Sequence, residues 1–237
     1  MSNTPPQEGL SRRERERLRR RQAMLRAAQS VFAEKGFARA TLDEIAERAE
    51  FGKGTLYNYF EGGKEDLLFA VFDDLYDDVH VMLREAFADP APHERPLRER
   101  FRTLVVKAFS FFLEREDLFM VLMKESYRLC FSENSEHAAY FQRQQERMVT
   151  ALAPALETAM ERGEIQDLPP KGVAHMILEN INGMLVHRAM MDRHEECAES
   201  ILHDPEQAAD FLTTILFDGL VRPSSAPASS TLSVHEP

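Results

Sequence analysis

The 237-residue sequence predicts an all-α protein, and three observations carry the prediction. Apolar residues recur at helical spacing along almost the whole chain, and no alternating run bounded by turns reads as a strand. A composition 43% hydrophobic and 29% charged supplies cores for one large or two modest domains. The 12 prolines and 10 glycines are too few for a collagenous or wholly disordered chain.

The elements follow in order. A first helix over about Arg12 to Glu34 places Leu18, Leu25, Ala28, Val31 and Phe32 on one side and closes at Lys35-Gly36, where glycine supplies a left-handed residue. Thr41 opens a short helix to Ala49, and Glu44 three residues later completes a Thr-x-x-Glu capping box. After Glu50-Phe51-Gly52 a third segment spans Lys53 to Phe60, with Leu56 and Phe60 facing one core. A fourth helix starts near Lys64 and keeps Leu67, Leu68, Val71, Phe72, Leu75, Val79, Met82, Leu83 and Phe87 on one face. At 1.5 Å per residue it reaches about 36 Å, enough to bridge two domains. Asp89-Pro90-Ala91-Pro92 breaks it. Amphipathic helices follow at about 96 to 113, 117 to 131, 136 to 163, 171 to 193 and 205 to 221, and the proline-bearing tail after them is expected to be disordered.

Net charge is −11, which taken alone argues against a nucleic-acid partner. Its distribution argues the other way. Residues 1–64 carry 13 basic against 9 acidic side chains, while the remaining 173 carry 16 against 31, so a basic head sits on an acidic body. Such asymmetry points to an oriented nucleic-acid contact, or else to a solvated charged surface. No apolar run approaches the ~18 residues of a membrane span. With no apolar leader and only Cys130 and Cys197, a cytoplasmic protein without disulfides or membrane association is expected.

Two short helices joined by a tight turn, with one helix before and a long one after, form a helix-turn-helix pattern over Thr41 to Phe60. Ile45, Ala46, Ala49 and Leu56 supply the small or apolar residues such a crossing needs. Lys53, Gly54, Thr55, Tyr57, Asn58 and Tyr59 lie on the exposed side and suit DNA: lysine neutralises phosphate, hydroxyls and amides reach phosphates or base edges, and methyls touch thymine.

Thr41, Ile45-Ala46, Ala49 and the run Lys53-Gly54-Thr55-Leu56-Tyr57-Asn58-Tyr59-Phe60, followed by Lys64, resemble the DNA-binding domain of the TetR family of bacterial regulators over roughly residues 20 to 70. The resemblance implies that Thr41 touches a backbone phosphate, that Lys53 and Thr55 face base edges, and that Tyr57 and Tyr59 hold phosphates on either side of the groove. It also implies that Lys64 binds phosphate, and Gly54 would allow close approach to DNA. Three departures stand out. The turn reads Glu50-Phe51-Gly52 where the family has glycine, a small apolar residue and serine. Three residues rather than two separate Phe60 from Lys64, and Asp43 stands near a base-reading position, where a carboxylate could only accept, for example from cytosine.

Seven arginines between Arg12 and Arg21 precede the motif, either to grip DNA or as a solvated helical extension with Glu16 and Arg20 paired. Asp73, Asp74, Asp77 and Asp78 read as a solvated acidic face rather than a cation site. His175 with Glu179, and His187 with Met191, have one-turn spacing but lack the further ligands of a metal centre. With no catalytic motif or phosphate-cradling loop, neither an enzyme nor a cofactor is expected.

Among the large apolar groups of the middle helices, Phe101, Leu104, Phe112, Phe119, Met123, Tyr127, Tyr140 and Phe141 are either core or the lining of a pocket for a small apolar or aromatic effector. Ile177, Ile181 and Met184, together with Phe211, Leu212 and Ile215, are expected to form a four-helix homodimer seam, Gly183 permitting close approach. The expected organisation is a basic arm or helix extension over 1–20, a helix-turn-helix domain over 21–66, an effector-binding and dimerisation domain over 67–221 and the tail over 222–237. The expected function is that of a repressor that binds a palindromic double-stranded DNA operator as a dimer and is released by its effector. The alternative is a ligand-binding or interaction protein on the same scaffold without specific operator recognition.

Overall fold

The computed structural model describes residues 11–87, 95–191 and 201–219. The Asp89 to Pro92 break, Cys197 and the tail lie outside the described residues. Within them the chain forms α1 (Arg12–Arg39), α2 (Leu42–Arg48), α3 (Lys53–Tyr57), α4 (Lys64–Phe87), α5 (Leu97–Leu113), α6 (Glu116–Cys130), α7 (Ser135–Glu161), α8 (Pro170–Met191) and α9 (Pro205–Thr213), with no strand.

Local chemistry sets the boundaries. Ser11 caps α1 through a capping box, its hydroxyl accepting from the Glu14 amide and the Glu14 carboxylate accepting from the Ser11 amide at 2.8 Å. The arginine stretch from Arg12 onward is therefore helical. Gly36, at φ 76°, interrupts α1 where the sequence places its end, and a separate turn completes it to Arg39. Thr41 and Glu44 form the expected capping box on α2. The third helix is shorter than expected: regular helix stops at Tyr57, and a further turn carries the chain to Phe60, whose amide donates to Leu56.

Two apolar cores share α4. The first joins Met24, Ala28, Val31 and Phe32 of α1 with Ile45, Leu56, Leu67, Leu68, Val71 and Phe72, and it also takes Leu122, Leu129 and Phe141 from α6 and α7. The second gathers Leu83 at the far end of α4 with Phe101, Val105, Phe109, Leu152, Leu156, Ile181 and Leu212. Movement of α4 thus has consequences in both.

The acidic strip on α4 is largely exposed, as expected, and it also makes tertiary contacts. Asp73 accepts from the Tyr140 hydroxyl at 2.8 Å and from Gln144 at 3.4 Å, Asp74 accepts from Gln29 at 2.7 Å, and Asp77 accepts from Arg147 at 2.7 Å. Three of the four carboxylates therefore tie α4 to α1 and α7. Burial and Asp73 together push the Tyr140 phenol well up.

Candidate nucleic-acid interface

The turn between α2 and α3 has a physical explanation for its unusual residues. Ala49 ends α2, Glu50 donates its amide to Glu47 at 3.0 Å, and Phe51 donates to Ala46 at 2.9 Å, which is the hydrogen-bond pattern of a Schellman motif. That motif needs a left-handed residue after the cap, and Glu50 takes it at φ 61°, where glycine would be unstrained. The next position favours an apolar contact with the helix, and Phe51 packs there against the first core. The bulky ring closes the turn; Gly52 gives α3 no side-chain cap.

The turn leaves Lys53, Gly54, Tyr57 and Asn58 exposed and Thr55 and Tyr59 half-buried. A side chain added at Gly54 would meet nothing within 4 Å, so this backbone is open to an approaching surface. Lys53 donates to Asp43 at 2.9 Å, and that bond holds the lysine pKa above its ordinary value. The pair is exposed and therefore weak, so a phosphate or base can take Lys53 from Asp43 at small cost. Thr41 remains exposed at the start of α2.

Lys64, which the resemblance implies as a phosphate contact, is engaged by the protein's own backbone. Its ammonium donates to the carbonyls of Phe37, Ala38 and Ala40 at 2.9, 3.2 and 3.0 Å, which uses all three of its N–H groups. These carbonyls are the orphans left where α1 ends, and the negative end of a helix favours a cation there. The extra residue before Lys64 is absorbed by Gly63 at φ 71°, where a Cβ would lie 3.4 Å from Leu42. Lys64 thus locks α4 to α1.

Arg17 and Arg21 are two arginines of the basic stretch that lie against aromatic rings. Their guanidinium groups lie 5.9 Å from the Tyr59 ring and 5.5 Å from the Phe60 ring, so α1 brings its basic row beside the segment after α3. Glu16 pairs with Arg20 at 3.1 Å as its spacing suggests. Arg48 holds α2 to α1 through Ser30 and both carboxylate oxygens of Glu34, and Lys35 pairs with Glu44.

The eight residues expected to line an effector pocket do not converge. Phe101, Leu104 and Phe112 fill the second core, with Phe119 edge-on to Phe112 at 4.6 Å and Met123 half-buried. Tyr140 and Phe141 pack against Phe72 at the first core, and Tyr127 is 52% exposed, stacked on Phe131. Aromatic residues on successive helices were divided between two cores. A cleft of about 710 Å³ opens instead between α4 and α7, and none of the eight lines it. His175 and Glu179 are bridged by Gln145, and no described helix is long and apolar enough to cross a membrane.

The expected seam residues also divide. Ile177, Ile181 and Leu212 are buried within their own subunit, Met184 and Ile215 are half-buried, and Phe211 is 46% exposed.

A capped helix, a Schellman turn and a short exposed helix on one rigid head define a helix-turn-helix DNA-binding regulator of transcription. Residues 24–71 match the model of bacterial regulatory proteins of the tetR family, and residues 94–186 match the tetracyclin repressor-like C-terminal domain. Together they account for more than half of the chain, and the protein belongs to the TetR family. The transcriptional regulator YhgD of Bacillus subtilis (strain 168) is 25% identical over 161 residues, covering 68% of this chain and 79% of that protein. The transcriptional activator FasR of Mycolicibacterium smegmatis is 33% identical over 112 residues, 47% of this chain and 45% of its own length. The crystal structure of the regulator FadR from Bacillus subtilis in complex with stearoyl-CoA shares the fold, with a TM-score of 0.69 at 21% identity over 85% of this chain and all of that one.

Proposed function

We propose that this TetR-family regulator is a cytoplasmic repressor that binds a palindromic operator as a homodimer and leaves it when a small-molecule effector occupies the C-terminal domain. The observation that carries the reading is α4, whose first half builds the core beneath the reading head and whose far end enters the second core. An event in the body therefore reaches the head through α4, and through α6 and α7 as well, whose Leu122, Leu129 and Phe141 enter the same core. Repression asks only that the dimer occupy DNA, and two heads double the few bases one helix-turn-helix reads. The FadR neighbour solved with stearoyl-CoA supports an effector with a large apolar part. No catalytic role is assigned; the activity is binding.

The dimer seam we favour uses the outer faces of α8 and α9. Met176 and Met190 are 48% and 61% exposed, Gly183 lies midway between them with open space around it, and Phe211 is exposed on α9. Two apolar groups fourteen residues apart, with a glycine seven residues from each, suit close helix pairing. Ile177, Ile181 and Leu212 serve the interior.

Selection of bound sequences from random DNA tests the reading. A twofold-symmetric site is expected, with Thr55→Ala changing the preferred bases and Tyr57→Phe weakening all sequences alike. Equal loss on selected and random DNA for Thr55→Ala contradicts the assigned reading face.

A further inference from the structure

The cleft between α4 and α7 is lined by basic and small apolar side chains together. His80, Arg84 and Phe87 come from one face of α4, and Arg143, Arg147 and Ala151 from one face of α7. Pro154, Ala151 and Ala155 add small apolar side chains to its lining. It is an open groove, so a ligand there would keep part of its surface in water.

The charges are not balanced within the cleft. Arg84 and Arg143 have no carboxylate partner among the described residues, and Glu146, the single acid in the lining, accepts from Lys171 at 2.6 Å. Arg147 is held by Asp77. The Nδ1 atom of His80 is buried with no hydrogen-bond partner. Burial first, then Arg147 and Arg84, hold the His80 pKa below its ordinary value of 6.5. This concentration of donors stands on the part of the chain that is otherwise strongly acidic.

We propose that the α4–α7 cleft binds an anionic amphiphile, with Arg84, Arg143 and Arg147 holding its phosphate or carboxylate head and Phe87, Ala151 and Pro154 receiving its apolar portion. The site deepens the effector reading above, on which its regulatory meaning rests. An anion that engages Arg147 competes with Asp77 for the same guanidinium, and Asp77 is one of the contacts that tie α4 to α7. Because that pair is exposed, Arg147 can turn from Asp77 to a bound anion at small cost.

Calorimetry on the full chain without DNA tests the site with three probes that share one tail: decyl phosphate, decanoate and decanol, each below its micelle concentration. The expected affinity order is phosphate, then carboxylate, then alcohol, with the phosphate affinity falling as salt rises. Carboxylate binding as tightly as phosphate would still support the site and assign a fatty-acid source over a phosphorylated one. The double variant Arg84→Glu with Arg143→Glu, both exposed and outside either core, should lower decyl phosphate affinity at least tenfold while decanol binding and the melting temperature stay unchanged. Equal binding of all three probes, binding of none, or undiminished phosphate affinity in the double variant overturns the proposal. Because no DNA is present, a failure of operator binding leaves these outcomes as they stand.

Discussion

The ammonium of Lys64 lies 2.9 Å from the carbonyl oxygen of Phe37 and 4.7 Å from the centroid of the same residue's ring, so one side chain of α4 both caps α1 and stacks on an aromatic beside its kink. Lys64→Met should cost about 1–3 kcal/mol of stability by freeing charge-assisted bonds to orphan carbonyls. DNA affinity should fall with it, but the slope of log affinity against log salt should stay unchanged, since no phosphate contact is lost. A slope reduced by about one in a binding titration would return Lys64 to the phosphate-binding set.

Glu50 occupies a left-handed position that glycine adopts without strain. Glu50→Gly should raise stability by about 1 kcal/mol, as the removed strain exceeds the added freedom of the unfolded chain. Denaturant unfolding checks this; a destabilised variant would show that the Glu50 side chain holds the turn in some other way.

What the sequence made legible was local. Thr41 with Glu44, and Gly36 at the end of α1, depend on residues three or four positions apart, and both stand as their spacing suggested. Lys64 was not legible because its acceptors lie 24 to 27 residues upstream. Asp73, Asp74 and Asp77 likewise find Tyr140, Gln29 and Arg147 only through the tertiary fold. Helical periodicity marks Ile181 and Leu212 as apolar without saying whether their own subunit or a partner buries them. The same ambiguity scattered the expected pocket, because Phe112 and Phe141 are buried in two different cores.

The clasp between α1 and α2 predicts an acid transition. Hydrogen bonds from Arg48 to Glu34 and from Lys35 to Glu44 hold both carboxylates below their ordinary value of 4.5. A depressed carboxylate contributes stability above its unfolded pKa and loses it as pH falls through the folded one. Melting temperature should therefore drop as pH falls below about 4.5, and Glu34→Gln with Glu44→Gln should flatten that part of the profile. An unchanged slope in the double variant would remove the clasp from the account.

Gly183 has room for a side chain within its own subunit. Gly183→Leu should therefore leave the fold intact while splitting the dimer, whereas a charge at Ile181 should unfold the subunit because that side chain is core. Sedimentation with circular dichroism separates the two. A dimeric Gly183→Leu protein would move the seam away from the centre of α8.

The central claim is that the head reads a specific operator, and the most direct measurement is retention of the DNA upstream of the protein's own gene in the presence of excess bulk DNA. The full chain should form a discrete complex that survives competition and protects a twofold-symmetric site. A complex lost to bulk DNA in proportion to its mass would contradict the claim and leave a ligand-binding protein on a regulator's scaffold.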